Sequence, residues 1–137
     1  MSRCFFDTNI LLYAHDPADR ARQKLARGLL AQHLRARTAV VSTQVLQEFF
    51  SVVTRKFGLP AELAREEVLT WSKASVVQVT PELILSAIDL HRLHSVNFWD
   101  ALVLRAAAAG NCGLLYSEDL NAGQSYDGVL VQDPFTG

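Results

Sequence analysis

Cysteine is nearly absent from this chain, with two in 137 residues, Cys4 and Cys112. Neither belongs to a C-x-x-C pair or to a metal-ligand spacing, which excludes a thiolate metal centre or a paired redox motif. Both lie in or beside apolar, strand-like runs and are expected to be buried thiols. Long hydrophobic runs are also missing. No stretch approaches the roughly 18 apolar residues of a membrane span, and Asp7 interrupts any signal-peptide core at the N-terminus. A surplus of one charge is absent as well: 13 Lys and Arg stand against 14 Asp and Glu, a formal net charge of -1, which argues against a protein that holds nucleic acid by bulk charge. There is no internal repeat, low-complexity tract or linker. What remains is a single domain over residues 1–137, half of it hydrophobic, large enough to bury a real core, and expected to be soluble and cytoplasmic.

The stretch that organises the rest is Arg3-Cys4-Phe5-Phe6-Asp7-Thr8-Asn9, an apolar run ending on a carboxylate. A strand buried on both faces reads as such a run, and in open α/β sheets ligands bind outside the carboxyl ends of strands. Asp7 is thus placed either for chemistry or as the cap of a helical turn. Further on, Asp16-Pro17 suits the start of a helix over Ala18–Arg37, with Leu25, Leu29, Leu30 and Leu34 on its apolar side. Its other face carries Arg20, Arg22, Lys24, Arg27, Arg35 and Arg37, in a stretch without an acid. Thr38-Ala39-Val40-Val41 reads as a strand, and Ser42 or Thr43 as the cap of a helix stopped at Gly58. Val45, Leu46, Phe49, Phe50, Val52 and Val53 form the stripe of that helix, and Glu48 at its edge is expected to be partly buried.

A third helix over Ala61–Lys73 carries Glu62, Glu66 and Glu67 toward solvent. Val76-Val77-Gln78-Val79 reads as a strand, and Thr80-Pro81 opens a helix reaching His94. His91 and His94, three apart on it, are expected to be surface or packing residues. Asp100 falls in the first turn of an alanine-rich helix ended by Gly110. Gly113–Tyr116 is a strand followed by Ser117-Glu118-Asp119, and Gly128–Val131 a last short strand.

Strands alternating with helices predict a layered α/β domain with a mostly parallel sheet, in which strand ends and helix starts share one rim. Asp7 and Asp119 follow strands, Asp100 starts a helix, and Glu48 lies in the first two turns of another. Carboxylates so gathered raise one another's pKa, and a divalent cation relieves the repulsion. An all-oxygen donor set favours Mg²⁺ or Mn²⁺, and such a site suits phosphoryl chemistry on a phosphodiester or phosphoanhydride.

Phe6-Asp7-Thr8-Asn9, Ser42-Thr43-Gln44-Val45-Leu46-Gln47-Glu48-Phe49, Phe98-Trp99-Asp100-Ala101 and Tyr116-Ser117-Glu118-Asp119-Leu120-Asn121 resemble, in order, the four motifs of the PIN-domain nucleases. Over nearly the whole chain the likeness is to the VapC-like toxins of type II toxin-antitoxin pairs. It implies a three-layer PIN-like fold and an acidic quartet of Asp7, Glu48, Asp100 and Asp119 as catalytic and metal-holding residues around Mg²⁺ or Mn²⁺, supported by Thr8, Asn9 and Ser117. It also implies an endoribonuclease acting on single-stranded RNA, with a cognate antitoxin and a homodimeric state. Arg20, Arg22, Lys24 and Arg27 are the expected RNA contacts. The alternative is a catalytically inactive PIN-like module that binds RNA or protein. Two other metal-binding α/β families fit less well. A receiver domain needs an acceptor Asp after the third strand, where Thr80-Pro81 stands, and a haloacid-dehalogenase-like phosphatase needs an acid at the position of Asn9.

Overall fold

A computed structural model describes residues 2–136. Six strands, β1 (Cys4–Phe6), β2 (Ala39–Ser42), β3 (Ser75–Val77), β4 (Leu114–Tyr116), β5 (Ser125–Tyr126) and β6 (Val129–Gln132), form one sheet in the order β3-β2-β1-β4-β6-β5. All neighbours pair in parallel except β5, which runs antiparallel to β6. The helices are α1 (Thr8–Tyr13), α2 (Arg20–Ala36), α3 (Thr43–Arg55), α4 (Ala61–Ser72), α5 (Pro81–His94) and α6 (Phe98–Ala109).

The pleat of β1 divides them into two layers. Phe6 stacks on Tyr116 of β4 at 5.3 Å and meets His33 of α2 at 5.5 Å and Trp71 of α4 at 6.5 Å between ring centroids. Phe5 faces the other way, as does its register partner Val40, which lies beneath the end of α6. There a Cβ on Gly110 would come within 2.9 Å of Val40 Cγ1 and 3.1 Å of Val77 Cγ2, so the helix closes on the sheet only because position 110 has no side chain. In the first layer α1 packs on α2 and α3, and α3 on α4; in the second, α5 packs on α6. The result is a three-layer α/β domain with β1, β2 and β4 at its centre.

Several local expectations need correction. Helix α2 starts at Arg20, because Asp19 rather than Asp16 caps it by accepting from Arg22 N, while Asp16 closes a turn through Ala18 N. It rests on the core through Ala26, Leu30 and His33, which leaves Leu25 exposed. Phe50 of α3 is exposed too, and Glu67 of α4 pairs with His15 at 2.7 Å instead of facing open solvent. The third strand is Ser75–Val77, earlier than Val76–Val79. The short strand β5 was not expected. Ser42 does cap α3 through Val45 N, His91 and His94 are exposed, and both cysteines are buried and free.

Candidate active site

Chain order reverses between β1 and β4: β2 and β3 extend the sheet to one side of β1, β4 and β6 to the other. Such a switch point leaves a crevice at the carboxyl ends of the two strands, since their following segments diverge. Asp7 follows β1 directly, and its backbone N–H donates to Tyr116 O at the end of β4 at 3.0 Å.

Asp7 serves both readings of its sequence position. Its Oδ1 caps α1 by accepting from Thr8 N at 2.8 Å, and its Oδ2 accepts from Ser117 Oγ at 2.8 Å. The carboxyl is only 7% exposed, and burial raises its pKa to about 6, against the two hydrogen bonds and with help from the charges of Asp119 and Glu48.

The three remaining acids arrive from separate elements. Glu48 lies in the second turn of α3 and is more exposed than its place beside the apolar stripe suggested. Its Oε1 accepts from Thr8 Oγ1 at 3.1 Å. Partial desolvation of the carboxylate end, then the charges of Asp100 and Asp119, push its pKa up. Asp100, half-buried in the first turn of α6, is raised by desolvation and then by Asp119. Asp119 stands three residues beyond β4, exposed, with Oδ2 accepting from Asn9 Nδ2 at 3.1 Å and its N–H donating to Ser117 Oγ at 3.2 Å. Thr8, Asn9 and Ser117 therefore each hold an acid, and Asn9 Oδ1 also takes Glu118 N at 3.2 Å.

Every donor of this quartet is a carboxylate oxygen, and among the described residues no cationic group is among the influences on Asp7, Glu48 or Asp100. That composition fits a hard divalent ion such as Mg²⁺ or Mn²⁺. Among the described residues, however, no three acidic, histidine or cysteine side chains stand close enough to form a closed ligand set. The quartet is an open ring of acids around a crevice. Its shape explains why: two clefts meet at Asp119, one of about 450 Å³ lined by Thr8, Asn9, Gln47 and Glu48, the other of about 410 Å³ bordered by Asn97, Asp100, Asn121 and Gln124. A larger concavity, about 620 Å³ beside His33, Arg37 and Lys73, lies at the opposite strand ends and holds none of these acids.

The basic residues of α2 divide. Arg22 donates to Glu118 Oε1 at 2.8 Å and to Tyr13 Oη at 3.0 Å, pairs with Asp19 at 3.3 Å, and lies over the rings of Tyr13 and Phe135. Arg27 Nε donates to Ala14 O at 2.6 Å. Arg20 and Lys24 are exposed, as is Arg27. Sequence reasoning missed the link from Arg22 to Glu118, as well as the wall that Gln124 and Tyr126 give the second cleft. The Asp127-Gly128 pair, a strong hairpin signal, could have revealed that wall.

The PIN domain family model matches residues 4–124. No curated protein sequence matches the chain significantly. Among solved structures, that of Mycobacterium tuberculosis VapC20, described as a sarcin-ricin loop cleaving toxin, is similar with a TM-score of 0.69 and 24% identity, covering 85% of this chain and 89% of that one. A toxin-antitoxin complex from Klebsiella pneumoniae matches with a TM-score of 0.67 and 17% identity over 96% of this chain and 98% of the other. At these identities the two structures share the fold. Since the family model runs from β1 through the acids to the threshold of β5, the chain belongs to the PIN-domain family.

Proposed function

We propose that this protein is a divalent-metal-dependent endoribonuclease that cuts single-stranded RNA and acts as the toxin of a toxin-antitoxin pair. The observation that carries the reading is the mutual approach of Asp7, Glu48, Asp100 and Asp119, of which Glu48 and Asp119 line one cleft and Asp100 and Asp119 the other, with no cation among the described residues set against Asp7, Glu48 or Asp100. The family match and the likeness to toxin structures support the choice of reaction.

The four acids would hold Mg²⁺ or Mn²⁺, which when bound supplies charge neutralisation at the phosphodiester and a water of lowered pKa. Asp7 is fixed by Thr8 N and Ser117 Oγ, so its orientation is set before any ligand arrives. Glu48 has Oε1 held by Thr8, which leaves Oε2 to take the proton of the attacking water; a raised pKa suits that role. Asn9 holds Asp119 at the junction where the scissile phosphate would lie. A flexible single strand can follow the two clefts past that point, with the exposed Arg20, Lys24 and Arg27 as candidates for backbone contact.

Two partners complete the reading. An antitoxin would inhibit by placing an Arg or Lys among the acids, in competition with the metal, because a concentrated patch of carboxylates is what a guanidinium fork matches. A second copy would pair through the apolar face of α5. The decisive assay is cleavage of labelled single-stranded RNA in Mg²⁺ or Mn²⁺. Activity should vanish in EDTA and fall by about 10²-fold or more in Asp7→Asn and Asp100→Asn. Cleavage that persists in EDTA would refute the mechanism, and RNA binding without any cleavage would favour the inactive-module alternative.

A further inference from the structure

The cleft of about 410 Å³ on the α6 side of Asp119 differs in chemistry from the rest of the surface around the acids. Among the described residues its lining includes Asn97, Asn121, Gln124, Tyr126 and His94, and no Lys or Arg. With Asp100 and Asp119 in the same lining, a phosphate would meet two carboxylates against one imidazole. Carboxamides instead pair a donor with an acceptor at the spacing of a base edge, and an aromatic ring supplies a stacking surface. Resting on the ribonuclease reading above, we infer that this cleft is a nucleobase-recognition subsite, which holds the base next to the cut phosphodiester and gives the enzyme its sequence preference.

The walls are fixed with respect to the acids. Gln124 and Tyr126 flank the start of the β5–β6 hairpin, whose two turn residues, Asp127 and Gly128, both have positive φ, 49° and 86°. This two-residue turn matches the twist of paired strands and holds β5 against β6. Arg105 of α6 pairs with Asp127 and also donates to Ser86 O at 3.3 Å, so the hairpin is tied to the helix that carries Asp100. On the opposite wall Asn97 caps α6, its Oδ1 accepting from Trp99 N at 2.9 Å, which leaves its NH₂ to meet a base. The Tyr126 hydroxyl donates to Gln124 Oε1 and sets the direction of that amide in the same way. The pocket is thus ordered before substrate binds, and Asp100 and Asp119 form its border with the site of cleavage.

The test is binding, not turnover. In Mg²⁺, with the Asp7→Asn chain so that RNA is not consumed, fluorescence anisotropy is measured for labelled pentamers of A, C, G and U. The expected spread between the tightest and the weakest is about tenfold, the scale of one well-made base contact. Adding Asn121→Ala and Gln124→Ala, both at exposed positions, should collapse the spread to within about twofold while the weakest pentamer keeps its affinity. Equal binding of all four pentamers overturns the inference. So does a spread that survives both substitutions, or a uniform loss of affinity for every pentamer. Failure of the nuclease reading is distinct: the unmodified chain would then leave RNA intact in both metals, whatever the anisotropy shows.

Discussion

Asp7 carries a charge where its surroundings disfavour one, and the consequence can be measured without RNA. With a folded pKa of about 6 against an ordinary value of 3.8, the native state keeps a proton that the unfolded chain has already lost. Its contribution to stability is therefore complete below the unfolded value and lost as pH rises through about 6. A difference of roughly two pKa units corresponds to about 3 kcal/mol, enough to move the melting temperature by several degrees. His33, buried with a lowered pKa, has the opposite sign and blunts the trend of the whole protein. The comparison with Asp7→Asn isolates the carboxylate. In EDTA at pH 7 that variant should melt above the unmodified chain, since Asn still caps α1, and the gap should close by pH 4. A variant that melts lower at pH 7 would make Asp7 a structural hydrogen-bonding residue. Asp100→Asn should show a smaller gain, because Asp100 is only half-buried.

Between residues and the whole lie the connections that elements make. The basic run on α2 reads in sequence as a solvated or RNA-binding face, yet Arg22 reaches across to Glu118, the neighbour of Asp119, and is covered by Tyr13 and Phe135. Among the described residues the second Glu118 oxygen is buried without a hydrogen bond, so the 2.8 Å pair with Arg22 is the close ionic contact of that carboxylate. Arg22→Ala and Glu118→Gln should each slow cleavage by about tenfold, and together by little more than either alone. If Arg22 contacted phosphate instead, its loss would flatten the salt dependence of RNA binding by about one unit of slope, which the pairing of Arg22 with Glu118 does not predict. Helix and strand identities were legible because apolar periodicity and caps such as Ser42 and Thr80-Pro81 are local signals. Burial was less so. Leu25 and Phe50 sit on apolar sides of their helices but lie outside the contact with the sheet, which depends on where neighbouring layers end. The hairpin was missed because β5 spans two residues, too few for a periodicity.

For the whole molecule, alternation of strands and helices was enough to place Asp7, Glu48, Asp100 and Asp119 on one rim. It was not enough to reveal that β1 and β4 are neighbours, since strand order depends on long-range pairing. Nor does it show how the domain covers its remaining apolar surface. On α5, Ile84, Leu85, Ile88 and Leu93 are exposed, Leu85 by 62% and Leu93 by 75%. An exposed strip of that kind suits the pairing with a second copy proposed above. Light scattering at tens of micromolar should give about twice the 15.2 kDa of one chain, and Leu85→Glu with Ile88→Glu should return the monomer. A monomeric mass for the unmodified protein would remove the proposed pairing through α5. The strand order also governs when the acidic site can form. Asp7 is held by Ser117, 110 residues later, and the crevice exists only once β4 has docked beside β1. Contacts so far apart in sequence form late. During synthesis at about 5–20 residues per second, the emerging chain carries Asp7 for many seconds before its partners leave the ribosome. On the ribonuclease reading proposed above, the acids are therefore not assembled into a site until most of the chain has been made.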